Sequence, residues 1–194
     1  MDDGGTVWLL FAELSWAGEC VGDDRCACER ERLTGVLRTL SEHEASDAAS
    51  ATAPLWAEVV TATCHWAAPT DACVELHRCA RLHAEDRLAE LEPGPTQIRL
   101  AAAGHPGCTP ASGLTCANEA AQTEDARLEA VMTDLRRRHV SPDVAQATWS
   151  RYRDAVCRED ALAAGADRAW ETSACRAVET ARRTALLTSL APPP

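Results

Sequence analysis

The sequence predicts an all-α fold, organised as two tandem three-helix units that are stapled by disulfides. Eight of the ten cysteines form two sets of four with nearly equal spacing, and apolar residues recur at helical intervals in both halves. No segment sustains the period-two alternation that half-buried strands show. The sets are Cys20, Cys28, Cys64 and Cys79 in the first half, and Cys108, Cys116, Cys157 and Cys175 in the second.

The first unit, residues 20–91, is predicted to contain three amphipathic helices. Leucine and valine residues between Leu33 and Leu40 recur at i, i+3, i+4 and i+7, which places them on one helical face. A proline opens the second helix, in which Trp56 lies eight residues before Cys64. The third helix is expected from about residue 71 to 91.

The second unit, residues 108–190, repeats this order. The same apolar spacing occurs between Leu128 and Leu135, and Trp149 again lies eight residues before the third cysteine of its set. Ser141 followed by Pro142 predicts an N-cap and a proline at the first helical position of the second helix. The third helix is expected from about residue 168 to 190.

Three further segments flank or join the two units. Residues 1–19 form an N-terminal segment that is apolar in its middle but begins with acids, where an export signal would carry positive charge. We therefore expect that the export signal is not visible in this chain. Residues 92–107 are rich in proline and glycine and are predicted to be a linker. Residues 191–194 are predicted to be a disordered tail.

The cysteine content indicates an oxidising compartment, periplasmic or extracellular. Units of this size bury a modest core, so covalent bridges add stability that they need. Four cysteines allow three connectivities, and we favour the local pairs, first with second and third with fourth, in each set. Cys26 and Cys73 occur only in the first copy and could form a fifth bridge.

Charge and motif content exclude several classes of function. A net charge of −11 argues against nucleic acid and anionic membranes as partners and favours a basic protein partner. No stretch approaches the ~20 apolar residues of a membrane-spanning helix. The chain lacks the nucleophile-elbow, zinc-protease and phosphate-loop motifs, so we expect a protein that is not an enzyme and has no cofactor.

The stretch from residue 149 to 157 resembles the W-x-x-(Y/F)-R-D-x-x-C signature of the LprI-like lysozyme-inhibitor family, whose members carry a small helical cysteine domain and are exported by bacteria. The signature residues are Trp149, Tyr152, Arg153, Asp154 and Cys157. The similarity covers residues 105–190 and includes Asp125, Thr180 and Arg183. The first copy, residues 20–91, matches only through its cysteines, Trp56 and Arg87.

This resemblance implies an exported, all-helical, disulfide-bonded protein, periplasmic or secreted, that inhibits lysozyme or another peptidoglycan hydrolase. Two other functions stay open, a structural or assembly component of the cell envelope and a periplasmic immunity protein against a delivered toxin. The spacing of the signature residues is that of a packed helix face, so we expect these residues to be structural.

A binding surface is predicted instead in the first copy. Trp66, in the loop from residue 65 to 72, is of a type enriched at binding hot spots and is expected to be exposed. Acidic side chains near it would attract a basic partner. The binding candidates are Trp66, Asp23, Asp24, Glu42 and Glu44.

The remaining alternative is a metal-binding protein. Cys73, His77, Cys79 and His83 place sulfur and imidazole ligands at i, i+4 spacings that could hold zinc. Because Cys79 aligns with Cys175, whose copy has no such histidines, a disulfide explains both copies and we expect no metal.

Overall fold

A computed structural model describes residues 25–46, 52–67, 73–91 and 95–191. Within these ranges the chain forms seven α-helices and no strand, which confirms the all-α prediction. Two short 3-10 turns precede the fifth and the seventh helix. The helices are α1 (Arg25–Ser46), α2 (Ala53–Ala67), α3 (Cys73–Leu91), α4 (Thr96–Ala102), α5 (Gly113–Arg137), α6 (Asp143–Ala163) and α7 (Arg168–Leu190).

The predicted start of α6 was wrong by one residue. Pro142, not Ser141, occupies the N-cap position, and its carbonyl accepts the first helical hydrogen bond from the amide of Gln146 at 2.8 Å. The Ser141 hydroxyl makes no capping bond and has no partner among the described residues. Pro142 has φ −88° and ψ 36°, so the helical conformation begins only after it.

The predicted linker contains a helix, α4. Prolines and glycines lie before and after this short segment, while the residues between them include Leu100, which is fully buried. Leu100 packs in a cluster with Cys108 and Trp170 of the second copy. Gly104, at φ 101°, then turns the chain away from the helix in a conformation that favours glycine. A single apolar anchor was too weak a periodic signal to predict this helix.

The two copies share one hydrophobic core. Helix α1 packs on α3, and α5 and α6 both pack on α7, but α2 packs on α6 of the second copy as well as on α3. Val59 of α2 consequently belongs to the same buried cluster as Met132, Trp149 and Leu187. The two predicted units are therefore interlocked through α2.

The apolar ladders are buried unequally. In α5, Leu128, Met132 and Leu135 are buried as predicted from their spacing. In α1, Val36 and Leu40 are buried, but Leu37 is 42% exposed, contrary to its predicted position on the buried face. Helix α1 packs mainly on α3, so its apolar stripe is narrow, and Leu37 lies about 100° around the helix from Val36.

Four disulfides lie within the described residues, and they match the local pairs and the additional bridge considered above. They are Cys26–Cys73, Cys64–Cys79, Cys108–Cys116 and Cys157–Cys175. Cys28 is also disulfide-bonded, while its expected partner, Cys20, lies outside the described residues. The bridges from Cys64 and from Cys157 fasten α2 to α3 and α6 to α7 at equivalent places in the two copies.

Candidate functional site

The signature residues of α6 form a cluster where α5, α6 and α7 meet. Trp149 is 4% exposed, and the guanidinium carbon of Arg153 lies 5.0 Å from its ring centroid. Arg153 donates hydrogen bonds to Oδ1 of Asp154 at 3.1 and 3.2 Å. It also donates to Oδ1 of Asp125 and Oγ1 of Thr180, each at 3.4 Å. One buried arginine thus ties together three helices of the second copy.

Two carboxylates of this cluster reach the surface. The side chains of Asp125 and Asp154 are 48% and 54% exposed, whereas the side chain of Arg153 between them is only 10% exposed. Two acids face one arginine, so these three residues carry a net charge of about −1. We call the pair Asp125 and Asp154 the acidic edge. Its exposed carboxylate oxygens could accept hydrogen bonds from a cationic group.

The copies exchange arginine contacts through equivalent positions. Arg87 and Arg183 each lie eight residues after the fourth cysteine of their set. Nη1 of Arg87 donates to the Tyr152 hydroxyl in the second copy at 2.8 Å. Nη1 of Arg183 donates to Oγ1 of Thr63 in the first copy at 3.0 Å. Each arginine therefore reaches the second helix of the other copy.

A small polar cavity lies inside this interface, lined by Trp56, Trp149, His83 and Arg183 among others. Nε2 of His83 and Nη2 of Arg183 are buried there without a partner among the described residues. Burial, and secondarily the charge of Arg183, lower the pKa of His83 to about 3. Burial also lowers the pKa of Arg183 to about 9, against the opposing effect of Asp86. The cavity is too small for more than about one water, so it supports a structural role.

A larger cleft, of about 460 Å³, lies between α4 and the α6–α7 turn. Its walls include Arg99, Asp160 and Trp170. Nη2 of Arg99 donates to Asp160 at 3.1 Å, while Nε of Arg99 and the indole nitrogen of Trp170 are buried without a partner among the described residues. These two N–H groups could donate hydrogen bonds to an oxygen-bearing group, so this cleft is a second candidate surface.

The binding site predicted around Trp66 is not supported by its placement. Trp66 is half-buried against the shared core, and its indole nitrogen donates to the carbonyl oxygen of Val140 at 2.7 Å. The prediction that it is exposed was wrong, because α2 packs against the second copy and the α5–α6 turn covers the ring. The other candidates cannot be placed: Asp23 and Asp24, and the side chains of Glu42 and Glu44, lie outside the described residues.

The four-residue zinc set that we considered as an alternative is not assembled in the structure. Residues six apart on α3, such as Cys73 and Cys79, point in directions about 120° apart, so the set divides between two faces. Each half joins a different cysteine through a disulfide. Two separate clusters result. All three residues of the first cluster, Cys26, Cys73 and His77, are half-buried, and all three of the second, Cys64, Cys79 and His83, are buried.

Residues 107–187 match the family model described as lysozyme inhibitor LprI. The second copy is therefore similar to this family, and we refer to residues 107–187 as the LprI domain. The match runs from the end of the linker into α7 and contains the whole signature cluster and the acidic edge. It covers less than half of the chain, and the first copy lies outside it. Neither the curated proteins nor the solved structures include a significant match to this chain.

Two arginines of the LprI domain, Arg153 and Arg183, make different kinds of contact. Arg153 holds the three helices of the domain together and leaves the acidic edge exposed. The side chain of Arg183 instead extends out of the domain and donates a hydrogen bond to Thr63 of the first copy. Sequence reasoning missed this second contact, although the equal offsets of Arg87 and Arg183 from their cysteines could have indicated paired roles. None of the helices in the described ranges combines the length and the apolar composition that a membrane-spanning helix requires.

Proposed function

We propose that this protein is an exported, non-enzymatic binding protein that inhibits lysozyme or another peptidoglycan hydrolase. The match of residues 107–187 to the LprI family carries the proposal. The disulfides fit an oxidising compartment outside the cytoplasm, where such hydrolases act. The same bridges hold a small domain rigid, which lowers the entropic cost of binding a partner.

Charge supports a cationic hydrolase as the partner. The chain has a net charge of −11, and the acidic edge of the LprI domain presents two half-exposed carboxylates. Complementary charge accelerates association, and salt screens the attraction over about 8–10 Å. We therefore place the acidic edge within the proposed contact surface and expect inhibition to weaken as the salt concentration rises.

The test is a lysis assay with the full chain across a salt series. Purified protein is mixed with lysozyme at equal and excess molar ratios, and clearing of a cell-wall suspension is followed. Inhibition at low salt that weakens at high salt is expected. If a stoichiometric amount leaves lysozyme fully active at low salt, lysozyme is not the target. A panel of other peptidoglycan hydrolases, including delivered toxins, then tests the broader proposal and the immunity version of it.

A passive envelope spacer is less favoured by the packing. A spacer made of repeated units gains length when the units are joined end to end. Here α2 of the first copy packs into the core of the second, and Val59 is buried together with Trp149. Because the two units are interlocked, the protein is shorter than two units joined end to end would be. This arrangement suits a binding protein better than a spacer.

A further inference from the structure

A sulfur and imidazole cluster lies at the N-terminal ends of α1 and α3, outside the LprI domain. Nδ1 of His77 lies 3.2 Å from Sγ of Cys73 and 3.9 Å from Sγ of Cys26. The three potential ligand atoms all lie within 4.8 Å of one another, and the three residues are half-buried. Cys73 and His77 are one helical turn apart, and Cys26 is brought to them by α1. The second copy has no equivalent of these residues.

We propose that Cys26, Cys73 and His77 form a site for a thiophilic divalent cation such as Zn²⁺, which opens when the Cys26–Cys73 disulfide is reduced. The S–S bond breaks when it receives two electrons and two protons, which yields two thiols. A thiol reductant supplies both and becomes a disulfide, whereas a phosphine supplies the electrons, takes oxygen from water to become a phosphine oxide, and leaves the two protons of that water for the thiols. The cation then displaces the two thiol protons and is held by two thiolates and one imidazole. Water or an external ligand takes the fourth position of the tetrahedron.

The geometry of the histidine fits this coordination. Bonds of about 2.3 Å to sulfur and 2.0–2.1 Å to nitrogen, at tetrahedral angles, separate the sulfur and nitrogen ligands by about 3.6 Å. The two distances from Nδ1 of His77, 3.2 and 3.9 Å, lie on either side of that value. Both cysteines are in the first turn of their helices, and the N-terminal end of a helix stabilises a thiolate. The imidazole is therefore already placed, and only the sulfurs need to separate.

The chain contains an internal control of the same composition. Cys64, Cys79 and His83 also bring their ligand atoms within 4.8 Å, but all three are buried. The positive charge of the neighbouring Arg183 contributes to lowering the pKa of His83, and the same charge would repel a cation at that cluster. A reductant also has less access to this bridge. We therefore assign the cation to the half-buried cluster alone.

The experiment combines limited reduction with native mass spectrometry of the full chain. A phosphine is added until one bridge opens, the reduced pair is mapped by alkylation of a sample, and Zn²⁺ is titrated into the rest. The expected result is that Cys26 and Cys73 are reduced first and that one Zn²⁺ binds per chain. Loss of even an outer-shell partner costs about 10–100-fold in metal affinity, so His77→Ala should weaken binding at least tenfold. His83→Gln should leave the affinity unchanged.

Three results would overturn the proposal. The first is that protein reduced at Cys26–Cys73 takes up no Zn²⁺. The second is that His77→Ala binds Zn²⁺ as tightly as the parent, or that His83→Gln is the variant that loses it. The third is a loss of the helical circular dichroism signal when this bridge is opened, because α1 would then no longer hold Cys26 beside Cys73 and His77. Cobalt provides a second readout, since thiolate ligation gives an intense near-ultraviolet charge-transfer band. None of these results depends on hydrolase binding.

Discussion

The contact between Arg183 and Thr63 provides the sharpest test of the interlocked fold. Thr63 is fully buried in the first copy, and its hydroxyl accepts a 3.0 Å hydrogen bond from Arg183 of the LprI domain. Thr63→Val keeps the shape of the side chain but removes the acceptor. Nη2 of Arg183 already lacks a partner among the described residues, so the substitution leaves a second buried guanidinium nitrogen less satisfied.

The expected loss of stability follows from the charge on the donor. Hydrogen bonds to charged groups contribute about 1.5–3 kcal/mol, and a buried donor that loses its acceptor costs a similar amount. Arg183 retains a 3.3 Å bond to Gln146, so part of its polar environment survives the change. We expect Thr63→Val to lower the free energy of unfolding by about 1.5–3 kcal/mol. For a chain of this size that corresponds to roughly 3–12 °C in Tm.

Denaturant unfolding followed by tryptophan fluorescence and circular dichroism measures this loss. The control is Thr61→Val on the same helix, because Thr61 is exposed and its hydroxyl bonds only to the backbone of Ala57. The control should change stability by less than about 0.5 kcal/mol. Both probes should report one transition, since the copies share a core. Equal stabilities for Thr63→Val and Thr61→Val, or two separate transitions, would refute the interlocked arrangement.

Three further outcomes are expected. Trp149→Ala should destabilise the fold by about 3–5 kcal/mol in the same denaturant assay, because a 4%-exposed ring leaves a cavity in the shared core. His83 stays neutral when folded, with a pKa of about 3, but binds a proton when unfolded below about pH 6.5. Stability should therefore fall by up to about 1.4 kcal/mol per pH unit between roughly pH 6 and pH 3, and His83→Gln should lose this dependence in pH-series melts. Asp154→Asn should slow association with a cationic hydrolase in stopped-flow measurements, while Asp134→Asn, with an equally exposed carboxylate, should not.

Local features of the fold could be predicted from the sequence because they depend on short-range patterns. The repeated cysteine spacing indicated the local bridges, and the i, i+3, i+4 spacing indicated the long helices. The third helix of the second copy begins and ends at Arg168 and Leu190, as expected. The short helix α4 was missed because its burial depends on Leu100 meeting Trp170, which is distant in the sequence.

Side-chain exposure was harder to predict, because it depends on how the copies pack. Trp66 has no local signal that separates a docking residue from an interface residue. Its indole nitrogen donates a hydrogen bond to the carbonyl oxygen of Val140, which is far away in the sequence. The four residues of the alternative zinc set are separated for a simpler reason. Each pair had correct i, i+4 spacing, but the step from Cys73 to Cys79 places the pairs on different faces of α3.

One sequence difference between the two units fits their shared interface. Where the LprI domain has Tyr152, the first copy has Val59, and both residues are buried in the same cluster. A small residue opposite a large one allows α2 and α6 to pack closely, and the tyrosine hydroxyl then meets Arg87 of the first copy. Two bulky tyrosines could not both occupy this space without separating the helices. At this position the difference between the two units fits the packing of α2 on α6, whereas Asp125 and Asp154 of the acidic edge stay half-exposed.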